Sequence, residues 1–182
     1  MAGIDEVGRG PLAGPVVAAA VILPPGPVLD GVDDSKRMTE RAREKAFPVI
    51  QCLALATGMG VVSRAYIDRH NILNASLEAM RRAVSALEPQ PELLLVDGIH
   101  SVPSGIEQWC LKKGDRLSRS ISAASVIAKV YRDRIMRCYH ETYPVYGFDK
   151  NKGYGTRQHL EALRANGHCA LHRRTFKGVC RT

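Results

Sequence analysis

The chain has 182 residues, of which 45% are hydrophobic and 24% are charged. These proportions are typical of a soluble globular protein, and the length suits one domain with a real hydrophobic core. The longest aliphatic run, residues 16–23, is far too short to cross a bilayer, which excludes a membrane-spanning helix. The net charge of +8 favours nucleic acid over a neutral small molecule, although a generic basic surface explains the charge about equally well.

The cysteines predict a reducing compartment. There are five, an odd number, and no two form a Cys-x-x-Cys pair, which fits reduced thiols rather than a disulfide framework. The N-terminus has no basic segment leading into an apolar one, so we expect no secretory signal and a cytoplasmic protein. The cysteines are Cys52, Cys110, Cys138, Cys169 and Cys180.

The first third of the chain predicts two strands and a helix. Residues 3–7 predict a short strand, and the sequence Gly8-Arg9-Gly10-Pro11 then forces a bend. The uninterrupted apolar run 16–23 predicts a strand that is covered on both faces. Thr39 is the expected N-cap of a helix, which Pro48 is expected to end or kink.

The middle of the chain predicts three further strands around one amphipathic helix. Residues 53–63 predict a strand, less clearly because two glycines interrupt it. Residues 93–96 predict a buried strand, and residues 108–111 predict its neighbour. Between the strands 53–63 and 93–96 lies a helix whose apolar side chains recur at steps of three and four, and prolines 89 and 91 end it. Those side chains are Leu73, Leu77, Met80, Val84 and Leu87.

The last third predicts helices. A long helix begins near Ser118, and Thr156 caps a shorter one that Asn166-Gly167 ends. The long helix carries an apolar stripe of Ile121, Ala124, Ala128, Tyr131, Ile135 and Cys138. This element order predicts an α/β fold with helices packed on a mixed sheet. The segment from about residue 144 to 182 has little aliphatic content, so we expect a small appendage of a single domain.

Four acidic residues at the edges of apolar runs are the candidate catalytic groups: Asp5, Glu6, Asp97 and Asp115. Carboxylates inside a basic surface repel a polyanion unless divalent cations lie between them and the phosphates, as in two-metal phosphoryl transfer. Strand residues alternate in direction, so Asp5 is the better bridging ligand and Glu6 reaches the site by strand twist or through its backbone carbonyl. A turn-forming Asp97-Gly98 and a helix-capping Asp115 remain alternatives.

Several basic and aromatic residues are candidates for substrate binding. An arginine between two glycines, Gly8-Arg9-Gly10, suits a close phosphate contact, although a basic turn is more common. Ser35 and Lys36 add a hydroxyl and a cation, and Tyr154 lies between two glycines, where its ring suits a sugar or base. The C-terminal part is densely basic, with Lys150, Lys152, Arg157, Arg173, Arg174 and Lys177.

Other chemistries have weaker support. His168 and His172 lie near Cys169 and Cys180, but their spacing matches no closed zinc pattern. A Ser-His-Asp hydrolase has the residue types without the Gly-x-Ser-x-Gly elbow. No Walker loop or dinucleotide fingerprint is present.

Seven segments, in order and over nearly the whole chain, resemble ribonuclease HII, the type 2 ribonuclease H family. They begin with Gly3–Gly10, Asp34-Ser35-Lys36, Val96-Asp97-Gly98 and Lys113-Gly114-Asp115. They continue with Ser120–Val130, Lys152–Thr156 and His172–Phe176. The resemblance implies an RNase H-like fold with a mixed five-stranded sheet flanked by helices.

The resemblance also implies an endonuclease that hydrolyses RNA in RNA–DNA hybrids. It implies a cut on the 5′ side of single ribonucleotides in duplex DNA, leaving 3′-hydroxyl and 5′-phosphate ends. Asp5, Glu6, Asp97 and Asp115 would hold two Mg²⁺ or Mn²⁺ ions. The loop Gly8–Gly10 would sense the ribose 2′-hydroxyl, and Tyr154 would stack on the following deoxyribose.

The chain departs from the family pattern in three places. Arg37-Met38 stands where Lys-Leu is usual, only two residues precede Gly3, and no clamp-binding peptide follows Phe176. We therefore expect no docking to a sliding clamp through such a tail. Separately, we expect a monomer. Alternatives are a non-catalytic duplex-binding protein, an integrase or junction resolvase on the same fold, and ribonuclease HIII, for whose extra N-terminal domain the chain has no room.

Overall fold

The computed structural model describes residues 1–26 and 38–180. Its centre is a mixed five-stranded sheet in the order β3-β2-β1-β4-β5. Strand β1 pairs antiparallel with β2 and parallel with β4, so it joins an antiparallel half of the sheet to a parallel half. The strands are β1 (Ala2–Val7), β2 (Val16–Ile22), β3 (Ala56–Val62), β4 (Leu93–Asp97) and β5 (Glu107–Leu111). This architecture confirms the predicted fold class.

Helices cover both faces of the sheet. The helix α2 packs on one face, and α4 packs on the other together with α1. The helices are α1 (Glu40–Leu53), α2 (Arg64–Ser85), α3 (Gly114–Leu117), α4 (Arg119–Thr142), α5 (Phe148–Asn151) and α6 (Arg157–Asn166), with a 3₁₀ turn at Pro144–Tyr146. None of the helices in the described part of the chain has the length and apolar character needed to cross a membrane.

The apolar run in β2 is the middle of the core. Every residue of Val16–Ile22 is buried. Alternate side chains enter opposite clusters: Ala18 packs towards α2, and Ala19 packs towards α4. Because successive strand residues face opposite ways, a strand with helices on both sides has to be apolar throughout, as the sequence predicted.

The pairing of β3 with α2 depends on small residues. A Cβ built on Gly60 would lie 1.9 Å from the backbone oxygen of Ala79, and one built on Gly58 would lie 2.1 Å from that of Ala83. The glycines that weakened the strand prediction therefore allow the helix to lie directly on the strand. The predicted apolar stripe was confirmed at Met80, Val84 and Leu87, which are buried, whereas Leu73 and Leu77 are only half buried. The stripe left out the buried alanines Ala75, Ala79 and Ala83.

Two helix boundaries differ from the sequence expectation. Pro48 neither ends nor breaks α1, which continues to Leu53 because Phe47 and Ile50 on either side of it are buried. Helix α2 begins at Arg64, before the predicted stripe. Asn71 interrupts it with φ 64° and ψ 169°, and its Oδ1 accepts the N–H of Asn74 at 3.0 Å, which caps the second part.

The C-terminal segment packs on the loop that follows β1. Its side chains Tyr146, Phe148 and Leu163 form a separate core with Ala13 and Met136. Backbone hydrogen bonds tie the two segments together, from the N–H of Leu12 to the oxygen of Gly153 at 2.8 Å and from Gly14 to Leu171 at 2.9 Å. The segment therefore determines where the loop of residues 8–15 lies.

Candidate active site

The parallel pairing of β1 with β4 places two of the candidate acids side by side. Ile4 is in register with Val96, and Asp5 and Asp97 follow as the next residue on each strand. Both lie at the carboxyl ends of adjacent parallel strands, where open α/β sheets place their ligands. Asp5 is only 4% exposed and hydrogen-bonds to Ser125 of α4. Burial and repulsion by Glu6 and Asp97 raise the pKa of Asp5 well above its usual range.

Glu6 lies on the opposite face of β1. Its Oε1 is 3.3 Å from Nη1 of Arg9, and it lines a cleft of about 320 Å³ with Asp97 on the side of α2. Burial raises the pKa of Glu6, and the positive charge of Arg9 opposes that rise. Repulsion by Asp97 raises the pKa of Glu6 further, so Glu6 and Asp97 interact although they come from different strands.

Asp115 is linked to this site through Asp97. Oδ1 of Asp97 accepts the N–H of Gly114 at 2.7 Å, and the buried Asp115 is the next residue, in the first turn of α3. A Cβ on Gly114 would lie 2.6 Å from Cδ1 of Ile121, so a larger residue between α4 and Asp97 would have to displace the end of the Ile121 side chain. Lys113, which directly precedes α3, has a left-handed backbone conformation with φ 59°. Three distant stretches of chain therefore meet here.

The donor set suits a hard divalent cation, since Asp5, Glu6, Asp97 and Asp115 offer only carboxylate oxygens. In residues 1–26 and 38–180, no three His, Cys, Asp or Glu side chains are arranged so that they could hold a metal ion together. The side chains instead engage local partners: Asp5 accepts from the N–H of Glu6 at 2.7 Å, Asp97 accepts from Gly114, and Glu6 pairs with Arg9. Each of these hydrogen bonds uses one oxygen of its carboxylate, so lone pairs remain on every acid for a cation.

A second cleft of about 270 Å³ opens from Asp5 on the side of α4. Its lining includes the acids Asp5 and Glu6, the cations Arg43 and Lys129, and Tyr154. Tyr154 is 42% exposed. A Cβ built on Gly10 would lie 3.8 Å from Cε1 of Tyr154, so the glycine loop and the tyrosine are neighbours.

The predicted contact of Arg173 with substrate has no structural support. Its side chain is fully buried beneath the loop, where it donates to the backbone oxygens of Gly8 at 2.6 Å, Arg9 at 2.9 Å and Gly14 at 3.0 Å. A guanidinium whose donors are used in this way holds the loop in place. Arg174, by contrast, is exposed and lines a groove near the C-terminus. Ser35 and Lys36 lie outside the described residues.

Arg132 is a second buried arginine, which sequence reasoning missed. It donates to the oxygens of Pro15 at 3.0 Å and Ala13 at 3.2 Å in the loop, and to the oxygen of Lys152 at 2.9 Å. Its guanidinium lies 6.0 Å from the centre of the Tyr154 ring. Arg132 therefore connects the glycine loop with the segment that carries Tyr154. Its only sequence signal was a charge within an otherwise apolar helix face.

The histidines and cysteines of the C-terminal segment form a hydrogen-bonded chain. Nε2 of His172 lies 3.0 Å from Nε2 of His159, and the backbone N–H of Cys169 donates to Nδ1 of His172 at 3.0 Å. Because their Nε2 atoms hydrogen-bond to each other, His159 and His172 form a packing contact inside the C-terminal segment. All five cysteines are free thiols.

Known proteins resemble this chain over nearly its whole length. The family model described as ribonuclease HII matches residues 2–179. Ribonuclease HII of Geobacter sulfurreducens is 58% identical over 179 residues, which are 98% of this chain and 82% of that protein. The crystal structure of ribonuclease H2 from Pyrococcus horikoshii OT3 has a TM-score of 0.82 at 26% identity and covers 98% of this chain and 94% of that one. The chain therefore belongs to the ribonuclease HII family, which comprises hydrolytic endoribonucleases of the ribonuclease H type.

Proposed function

We propose that this ribonuclease H hydrolyses the RNA strand of RNA–DNA hybrids and also cuts on the 5′ side of single ribonucleotides in duplex DNA. The products would carry 3′-hydroxyl and 5′-phosphate ends. The observation that carries the proposal is the meeting of acidic residues from three distant segments, at the carboxyl ends of β1 and β4 and the start of α3. No nucleophilic side chain is required, because water is the attacking group.

Asp5, Glu6, Asp97 and Asp115 are the proposed catalytic residues and metal ligands. Bound Mg²⁺ or Mn²⁺, two ions in our proposal, would supply a more acidic water and neutralise charge on the departing oxygen. Burial of Asp5 and its repulsion by Glu6 and Asp97 support cation binding, since a divalent ion offsets both effects. Asp115 lies beside the Gly114 amide that binds Asp97, which favours a shared site.

The loop Gly8–Gly10 and Tyr154 are proposed to recognise the junction between ribose and deoxyribose. Backbone groups of a glycine loop approach a 2′-hydroxyl closely, and an exposed ring stacks on the next sugar. The proximity of Gly10 to Tyr154 supports one recognition surface. Arg9 and Arg174, both exposed, are proposed to contact phosphates, and Arg173 is proposed to position the loop rather than to bind substrate.

The proposal also includes a single catalytic domain over residues 1–182 that acts as a monomer. The C-terminal segment, about residues 144–182, has its own small core but hydrogen-bonds to the loop of residues 8–15. It therefore serves as a substrate-contacting appendage of the same domain.

Substitution of Asp5 tests the proposed chemistry. Asp5→Asn keeps the shape of the side chain and removes a charged ligand, so we expect turnover to fall by several orders of magnitude while the circular dichroism spectrum is unchanged. Cleavage is measured on gels with an RNA–DNA hybrid, a duplex with one ribonucleotide and an all-DNA duplex. Turnover of Asp5→Asn within a few-fold of the unsubstituted enzyme, or cleavage of the all-DNA duplex, would contradict the proposal.

Substitution of Tyr154 tests the proposed recognition. We expect Tyr154→Ala to lose about 1–3 kcal/mol of transition-state stabilisation on the single-ribonucleotide duplex because the ring no longer stacks. Tyr154→Phe keeps the ring and is expected to retain most of the activity. The comparison is made as kcat/KM, and equal values for Tyr154→Ala and the unsubstituted enzyme would exclude a stacking role.

A further inference from the structure

We propose that Arg132 is a positioning residue that fixes Tyr154 relative to the loop of residues 8–15, and that this spacing makes the enzyme selective for a ribonucleotide followed by a deoxyribonucleotide. The inference rests on the proposed function, in which the loop senses the 2′-hydroxyl and Tyr154 stacks on the next sugar. Both contacts are needed together only at such a junction, so a strand of RNA alone should depend less on the spacing. Arg132 is fully buried and would act without touching the substrate.

The guanidinium of Arg132 bonds to both recognition segments. Nε donates to the oxygen of Pro15 at 3.0 Å and Nη2 donates to the oxygen of Ala13 at 3.2 Å, both in the loop. Nη1 donates to the oxygen of Lys152 at 2.9 Å, two residues before Tyr154. Because the guanidinium is planar and its N–H groups point in fixed directions, these bonds set the separation between the loop and the segment of Tyr154.

Helix α4 places Arg132 in a fixed relation to the catalytic end of the sheet. Ser125 of the same helix forms the hydrogen bond to Asp5. Arg132 follows Ser125 by seven residues, which is about two turns, so both side chains project from the same side of α4. One helix therefore bonds to a proposed metal ligand, to the loop and to the segment of Tyr154. The spacing that Arg132 sets is thus held relative to the bond that is cut.

Close packing reinforces these hydrogen bonds. A Cβ built on Gly8 would lie 2.3 Å from Nε of Arg132, and one built on Gly153 would lie 2.5 Å from the backbone oxygen of Ala13. The N–H of Leu12 also donates to the oxygen of Gly153 at 2.8 Å. The loop, the guanidinium and the segment that carries Gly153 are therefore in direct contact. A side chain shorter than arginine would leave buried carbonyl groups between them without a donor.

The test measures kcat/KM of Arg132→Lys on a duplex with one ribonucleotide and on an RNA–DNA hybrid. Lysine keeps the positive charge, but its single nitrogen cannot hold three oxygens at the separations that the guanidinium sets. A misplacement of about 1 Å can lower a rate by a factor on the order of 100, so we expect a loss of about tenfold or more on the single ribonucleotide. The loss on the hybrid should be several times smaller, because no junction has to be recognised there.

Two comparisons separate positioning from a general loss of stability. Gly60→Ala strains the contact of β3 with α2, on the opposite face of the sheet from α4, and should leave the ratio of the two kcat/KM values unchanged. In a Tyr154→Ala background, Arg132→Lys should lower the ratio only slightly further, because the spacing no longer positions a ring. Residues that act through one another are non-additive in this way, whereas independent substitutions have additive effects.

Gly153→Ala is an independent variant that disturbs the same spacing without changing Arg132. Its added carbon would push against the oxygen of Ala13, so the ratio should fall as it does in Arg132→Lys, and Gly153→Ala replaces that variant if it does not fold. Equal losses on both substrates, an equal change of the ratio in Gly60→Ala, or additive losses with Tyr154→Ala would overturn the inference. Failure of the unsubstituted enzyme to cut the single-ribonucleotide duplex would instead overturn the proposed function.

Discussion

Asp5 combines a proposed catalytic role with a cost to stability. Burial raises its pKa, and the negative charges of Glu6 and Asp97 raise it further. The folded state therefore binds a proton more tightly than the unfolded state, and stability falls as pH rises above the ordinary pKa of an aspartate. Without metal, burying this carboxyl group beside two other acids therefore costs stability at neutral pH.

The first prediction concerns this destabilisation. We expect Asp5→Asn to raise the melting temperature in EDTA at pH 7 by a few degrees, since each 1 kcal/mol relieved is worth about 2–4 °C in a protein of this size. Added Mg²⁺ should stabilise the unsubstituted protein and leave Asp5→Asn nearly unchanged. Differential scanning calorimetry measures both effects. A melting temperature of Asp5→Asn below that of the unsubstituted protein in EDTA would show that this carboxylate is stabilising.

The histidine pair has defined tautomers. The N–H of Cys169 donates to Nδ1 of His172, so the proton of His172 is on Nε2. This Nε2–H donates to Nε2 of His159. The proton of His159 is then on Nδ1, which donates to the oxygen of Tyr154 at 2.8 Å. Each ring is neutral in this arrangement. Burial, and then the neighbouring His159, lower the pKa of His172 to about 4.

The second prediction follows from the neutral pair. The unfolded chain takes up a proton on His172 near its ordinary pKa of 6.5, whereas the folded protein resists until about 4. The contribution of His172 to the free energy of unfolding should therefore be constant above about pH 6.5 and fall by about 1–3 kcal/mol as the pH is lowered to about 4. Urea unfolding at several pH values measures this loss. His172→Phe should flatten the dependence, and His168→Gln, an exposed control, should not.

At the scale of elements, close contact between β3 and α2 has a specific requirement for glycine. The third prediction is that Gly60→Ala destabilises the fold by about 2–3 kcal/mol or more, because the added carbon meets the backbone of Ala79, which cannot move without displacing the helix. Gly105→Ala is the matched control. Its Cβ would meet nothing within 4 Å, so a change within about 0.5 kcal/mol is expected. Chemical denaturation compares the two, and equal losses would contradict the packing argument.

Local periodicity predicted the elements better than their contacts. The apolar run 16–23 predicted a doubly covered strand, and Thr39, Ser118 and Thr156 marked helix starts correctly. The buried face of α2 was predicted only in part, because alanines, rather than Leu73 and Leu77, face the glycines of β3. Pro48 does not end α1, one of the two outcomes expected of it, because burial of its neighbours outweighs one lost backbone hydrogen bond.

The candidate site was predictable only in part. Asp5 and Asp97 were indicated because each is an acid near the end of an apolar strand. The parallel register of β1 with β4 places them side by side. The buried roles of Arg132 and Arg173 depend on carbonyl groups that are more than 100 residues away in sequence. No local pattern reports such a contact. The resemblance to a family indicated which segments matter without indicating which arginines support the loop.

At the scale of the whole molecule, the net charge of +8 is distributed unevenly. Acidic residues gather in the cleft at the ends of β1 and β4, whereas exposed cations line a C-terminal groove of about 930 Å³ that includes Arg174, Lys177 and Phe176. A polyanion would be drawn to the groove while metal ions reduce its repulsion in the cleft.

The last prediction concerns the salt dependence of binding. Each phosphate contact lowers log K by about 0.9 per tenfold rise in salt. The affinity for a duplex held by several contacts should therefore fall steeply between about 50 and about 200 mM salt. The double substitution Arg174→Gln with Lys177→Gln should reduce the slope by about 1.8 if both side chains contact phosphates. The control is Arg81→Gln with Arg82→Gln, which removes the same charge from two arginines already paired with Glu78. Anisotropy titrations that give a flat salt response, or equal slopes for the two double variants, would show that the C-terminal groove does not bind the duplex.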